Sequence, residues 1–109
     1  WMIIDSWNGL TVFHSKDLVN WKKQEKRILE NPGTGEDDQV RGSHADVWVQ
    51  GEDAYIFYFT HPGKTPENKK KDNYETRRSS LQVAKLIYEN GKITCERNNM
   101  VYLQLKSPK

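Results

Sequence analysis

His44-Ala45-Asp46-Val47-Trp48-Val49-Gln50, a turn at Gly51-Glu52-Asp53, then Ala54-Tyr55-Ile56-Phe57-Tyr58-Phe59-Thr60: this stretch decides how the chain is read. The two runs are short, rich in β-branched and aromatic residues, and parted by turn residues, which is the pattern of adjacent strands. In the second run Tyr55, Phe57 and Phe59 alternate with Ile56 and Tyr58, so both faces are apolar. That is the signature of an internal strand with covered faces.

Working downstream, His61 to Arg78 is a long polar loop containing Pro62, Gly63 and Pro66. Ser80 to Tyr88 returns to strand character, with Leu81, Val83, Leu86 and Tyr88 as its apolar positions. Asn90-Gly91 is a strong two-residue hairpin signal, and Lys92 to Glu96 is its partner strand. Val101 to Leu105 reads as a last short strand. Upstream, Trp1 to Asp5 and Leu10 to His14 are strands parted by Asn8-Gly9. Ser15 to Trp21 is a turn leading to a third strand over Lys22 to Leu29. Asn31-Pro32-Gly33 breaks the pattern, and Glu30 to Gly42 is a polar connection holding Asp37 and Asp38.

The expected class is therefore all-β. Residues 43–97 read as four antiparallel strands in sequence, from inner to outer, which is one complete β-propeller blade and the last one. Residues 1–30 read as a partial blade whose innermost strand is missing. Residues 98–109 form a C-terminal segment whose strand would close a ring. Fewer than two blades leave a wide sheet face bare, so the native molecule is expected to be larger than this chain. The chain also reads as opening inside a strand, Trp1 to Asp5, as expected of a piece of a longer protein.

Bulk properties narrow the partners. The 109 residues carry 17 Lys and Arg against 15 Asp and Glu, a net charge of +2, which does not suggest nucleic acid. The basic run Lys69-Lys70-Lys71 falls in the long loop and reads as a solvated tip. No apolar run is long enough to cross a membrane. Cys95 is the sole cysteine, so no intrachain disulfide can form.

Three stretches resemble the family 43 glycoside hydrolases. The first is Ser15-Lys16-Asp17-Leu18-Val19-Asn20-Trp21 after Gly9-Leu10-Thr11-Val12, similar to a hairpin that these five-bladed propellers carry in their blades. There Ser15 and Asp17 can bond turn amides and Trp21 packs across the blade. The second is Gly42-Ser43-His44-Ala45-Asp46-Val47-Trp48-Val49 with the aromatic strand ending at His61-Pro62. The third is Ser80-Leu81-Gln82-Val83-Ala84-Lys85-Leu86 with its Asn90-Gly91 hairpin. The resemblance implies a partial five-bladed β-propeller and the C-terminal part of a glycosidase. It implies inverting hydrolysis of a plant or algal poly- or oligosaccharide, and it favours a periplasmic or secreted location. No organic cofactor is implied, while calcium or another metal at the propeller axis is compatible with it. The partners would be a carbohydrate substrate and the N-terminal blades of the same protein.

The resemblance also implies that the chain is inactive alone. The family's base stands on an early blade. Its acid is a Glu just ahead of the glycine–x–histidine opening, where this chain has Arg41, which cannot give up its proton. Inverting chemistry needs two carboxyl groups about 6.5–9.5 Å apart. Asp38, Asp46 and Asp5 are the only carboxylates near inner-strand ends, so Asp38 and Asp46 stand as weak catalytic candidates. His44 is the main site candidate. It is open to three readings: a hydrogen-bonded structural histidine, a contact to metal or ordered water, or a substrate contact. His44 and Asp46, two apart on a strand, are expected on one face. Asp38 and Arg41 could bind sugar hydroxyls or lie in a solvated loop. Trp7 could stack on a sugar ring or pack in the core. The rival functions are a non-catalytic carbohydrate-binding module and a structural, protein-binding propeller.

Overall fold

The structure is a computed structural model that describes residues 1–107. It is all-β, with two antiparallel sheets and one helical turn among the described residues. The first sheet joins β1 (Met2–Asp5), β2 (Leu10–His14) and β3 (Lys22–Lys23) in that order. The second joins β4 (Ser43–Gln50), β5 (Asp53–Thr60), β6 (Ser80–Glu89) and β7 (Lys92–Glu96), also in chain order. The helical turn α1 spans Tyr74–Arg77, between β5 and β6.

Local chemistry accounts for the turns. Asn90 and Gly91 both take positive φ, +53° and +74°, as a type I′ hairpin requires. In the β2–β3 connection the Asp17 carboxylate accepts from the backbone N–H groups of Val19 and Asn20 at 2.9 and 2.7 Å, and Ser15 Oγ accepts from Leu18 N–H at 2.9 Å. These bonds hold Leu18 at a φ of +62°.

The two sheets stack face to face. Leu10, Val12, Ile28 and Leu29 from the first meet Ile56, Tyr58, Ala84, Leu86 and Ile93 from the second, with Ile3, Ala45 and Val47 at the margin. The strand pleat sends every second residue of β5 the other way, so Tyr55, Phe57 and Phe59 lie on the second sheet's outer face. Their cross-strand partners Trp48, Lys85, Val83 and Leu81 share that face, and Leu81 is 64 % exposed.

Three expectations need correction. The third strand does not run from Lys22 to Leu29. Its ladder covers Lys22 and Lys23, with one further bond from Gln24 N–H to Val12 C=O at 2.8 Å, and it meets β2 again at a single bridge between Ile28 and Leu10. Where the ladder ends, the buried side-chain amide of Gln24 turns inward. It accepts from Ile93 N–H at 2.8 Å and donates to Ile93 C=O at 2.9 Å, copying a peptide group between the two sheets. The 61–78 segment is not wholly irregular, because Asn73 and Thr76 form a reciprocal capping box that starts α1. Val101 to Leu105 carries no strand. That segment is instead held by the Gln50 side chain, which donates to Gln104 C=O and accepts from Lys106 N–H. Residues 108 and 109 of the proposed ring-closing segment lie outside the described residues.

Candidate functional site

Where β1 ends and β4 begins, the two sheets leave a cleft of about 710 Å³. That size suits a small ligand, for which pockets run from about 300 to 1,000 Å³. Its inner wall is organised by Asp5. One carboxylate oxygen accepts from Trp7 N–H at 2.9 Å, and the other accepts from His44 N–H at 2.9 Å. Trp7 and His44 both sit in the left-handed region, at φ of +64° and +49°. That conformation costs a non-glycine residue roughly 1–2 kcal/mol, so a fixed partner for each N–H is needed to hold it.

His44 reaches that conformation through a β-bulge. Ser43 faces Phe59 while Asp46 faces Phe57, so β4 spends one more residue than β5 across this interval. The Arg41 guanidinium donates to the Trp7 carbonyl. The His44 ring meets the Trp7 indole edge-on, with centroids 6.1 Å apart and planes at 88°. The Trp7 backbone is therefore fixed through its N–H and its carbonyl, and its ring has His44 as an aromatic neighbour, yet the residue remains 70 % exposed. A large aromatic side chain is presented to solvent from a fixed backbone, beside a carboxylate, an imidazole and a guanidinium.

The opposite wall comes from the 61–78 segment, with His61, Lys64, Pro66, Lys69 and Lys70. This segment is tied down. His61 Nδ1 lies 3.2 Å from Arg78 C=O, Arg78 pairs with Asp37 at 3.0 Å, and Lys64 N–H donates to His61 C=O at 2.9 Å.

Burial opposes ionisation of Asp5. The N–H groups of His44 and Trp7, with the His44 and Arg41 charges, outweigh that and hold its pKa below the ordinary 3.8. A depressed carboxylate contributes stability that is present above its unfolded value and is lost as pH falls through the folded value. The cleft is thus expected to keep its geometry at pH 5 and to loosen only in acid below about pH 4. The check is an acid titration of the Trp7 and His44 amide signals. Asp5→Asn should remove that acid step, and an unchanged step would assign it to another group.

Four of the residues singled out from sequence, Asp5, Trp7, Arg41 and His44, converge on this cleft. Two do not. Asp38 is 2 % exposed and faces the interior. It pairs with Arg97 at 2.6 Å and accepts from Tyr58 Oη at 2.9 Å, so its carboxylate has no access to a ligand. Asp46 lies past the bulge, opposite Phe57 on the outer face, and accepts from Val47 N–H at 2.8 Å. The bulge also overturns the expectation that His44 and Asp46 share a face.

Lys69 and Lys70, read as a solvated tip, are brought back to the cleft rim. No local pattern announces this, because it depends on how the whole loop is anchored. Among the described residues His44 meets only Asp5 of the acidic groups, with Nδ1 3.8 Å from the carboxylate. Among the described residues no three His, Cys, Asp or Glu side chains gather. Calcium takes six to eight oxygen ligands, so the residues present do not make a calcium site by themselves.

No family model matches the chain, and no curated protein matches it significantly.

Proposed function

We propose that this chain forms the C-terminal blades of a five-bladed β-propeller glycosidase of the family 43 kind, and that the cleft is its contribution to the carbohydrate site. The observation that carries the reading is Trp7, whose indole is exposed beside His44 and whose backbone is fixed through its N–H and its carbonyl. An indole face fits the apolar face of a pyranose or furanose ring, and fixing the backbone that carries it lowers the entropy cost of binding. Two antiparallel meanders stacked face to face are also the arrangement of neighbouring blades. The outer face of the second sheet, with Trp48, Phe57, Phe59 and Leu81, would be covered by a further blade.

On this reading the chain binds and orients sugar, while the acid and base belong to other blades. Asp5 is kept ionised by two N–H groups, so it does not act as a proton donor near neutral pH. Arg41 cannot replace a carboxylic acid there. Asp5 serves as a positioning residue for Trp7 and His44, and His44 and Arg41 face the sugar. The second reading, a non-catalytic carbohydrate-binding propeller, keeps the same cleft and lacks the carboxylate pair.

The test is a polysaccharide hydrolysis screen on the protein that carries this chain, run beside its His44→Ala variant. We expect release of reducing sugar from a plant or algal glycan, reduced at least about tenfold in the variant, which corresponds to about 1.4 kcal/mol. Sugar binding without hydrolysis would favour the binding module. Full activity in the variant would remove His44 from the site.

A further inference from the structure

The cleft has an unbalanced charge. Arg41, Lys64, Lys69 and Lys70 line it beside His44 and His61, and among the described residues Asp5 is its only acidic group. Asp5 already accepts two backbone N–H groups. Among the described residues, none of these four cations lies within 4.0 Å of a carboxylate.

Among the described residues every other arginine is paired with a carboxylate, while lysines outside the cleft such as Lys16, Lys22 and Lys92 are not. Arg77 and Arg78, in the same loop as the lysines, pair with Asp72 and with Asp37 and Glu75. Lys85 pairs with Asp53, and Arg97 with Asp38. The whole chain carries a net charge of only +2. The positive excess is therefore concentrated in one concavity, where low-dielectric walls focus the field on an incoming anion.

The geometry points to an anionic sugar as the ligand of this cleft, one bearing a uronate carboxylate or a sulfate ester. This rests on the carbohydrate reading and narrows it. The Trp7 face takes the ring. The guanidinium N–H groups of Arg41 not used on Trp7 and the ammonium groups of the lysines take the charged substituent. Arginine supplies directional donors, and lysine supplies point charges that adapt to a carboxylate or a sulfate. The loop anchoring described above keeps the lysine rim at the cleft.

Calorimetric titration of the protein that carries this chain tests this with five probes: an oligogalacturonate, a sulfated galactan oligosaccharide, a neutral xylo-oligosaccharide, inorganic sulfate and a single-stranded oligonucleotide. We expect one of the two acidic glycans to bind at least tenfold tighter than the neutral one. Which of them does so separates uronate from sulfate ester. The preference should shrink as salt is raised, and it should vanish in K69Q/K70Q, a double variant at two exposed positions. Its fold is checked by circular dichroism, and Lys64→Gln is a second, independent variant.

Equal binding of acidic and neutral glycans would overturn the inference and leave the carbohydrate reading standing. Inorganic sulfate or a single-stranded oligonucleotide binding as tightly as the acidic glycan would show a site that reads charge alone, and would also overturn it. Binding of none of the glycans would remove both.

Discussion

Replacing Arg97 with methionine is expected to destabilise the chain by about 3–5 kcal/mol, because it leaves a buried carboxylate without its counter-charge. Arg97 and Asp38 have side chains only 7 % and 3 % exposed and meet at 2.6 Å. Arg97 also donates to the carbonyls of Asp38, Val40 and Asn31, and its guanidinium sits 5.5 Å from the Tyr58 ring centroid. One side chain thus joins the end of β7 to the 31–40 connection and to the centre of β5. Burial and the Asp38 charge push the Tyr58 phenol well above its ordinary value, so it stays protonated and donates to Asp38. With domains stable by about 5–15 kcal/mol, the loss takes a large share of the total. The double variant R97M/D38L should recover much of it, since removing both charges avoids the orphaned one. Urea unfolding followed by circular dichroism measures this. A loss under about 1 kcal/mol in the single variant would mean that Asp38 finds water, and that the buried pair is not a fastening.

The second large effect is expected at Gly63. A Cβ there would lie 2.1 Å from the Glu75 carbonyl oxygen and 2.5 Å from its carbon, both backbone atoms of α1. Neither can move aside cheaply, because Asn73 caps this turn and Arg78 ties its end to Asp37. Gly63→Ala should therefore lift the loop from the sheet, at a cost of about 1–3 kcal/mol. It should also withdraw Lys64, Lys69 and Lys70 from the cleft. Preference for acidic over neutral sugar is expected to fall while the neutral sugar still binds at Trp7. Gly35→Ala is the control, since its Cβ would meet nothing closer than 3.7 Å. Equal effects from both substitutions would contradict the role given to the loop.

What could be read from sequence was what neighbours along the chain determine. Asn90-Gly91, the Ser15–Asp17 turn and the aromatic run of β5 each carry their conformation in a few adjacent residues, and each forms as read. What escaped depends on partners far apart in sequence. Gln24, at the end of the short β3 ladder, spends its side chain on Ile93, 69 residues away. Asp38 leaves the cleft because Arg97, 59 residues on, meets it in the interior. Asp5 grips His44, 39 residues on, and so places a bulge where alternation predicts regular strand. The Asn73–Thr76 cap lacks the acidic or amide residue that usually marks such a box, so α1 passed as loop. The site residues were legible in part because three of them, Arg41, His44 and Trp7, lie at element ends, where turns gather functional side chains.

The most direct test of the carbohydrate cleft uses the four tryptophans, whose indole N–H signals are separable by nuclear magnetic resonance. During titration with the sugar that binds, the Trp7 indole and the Asp5 and His44 amides should shift together and saturably, while Trp48 on the outer sheet face stays still. Movement of Trp48 with Trp7 unchanged, or no shift at Trp7 at saturating sugar, would contradict the assignment of the cleft.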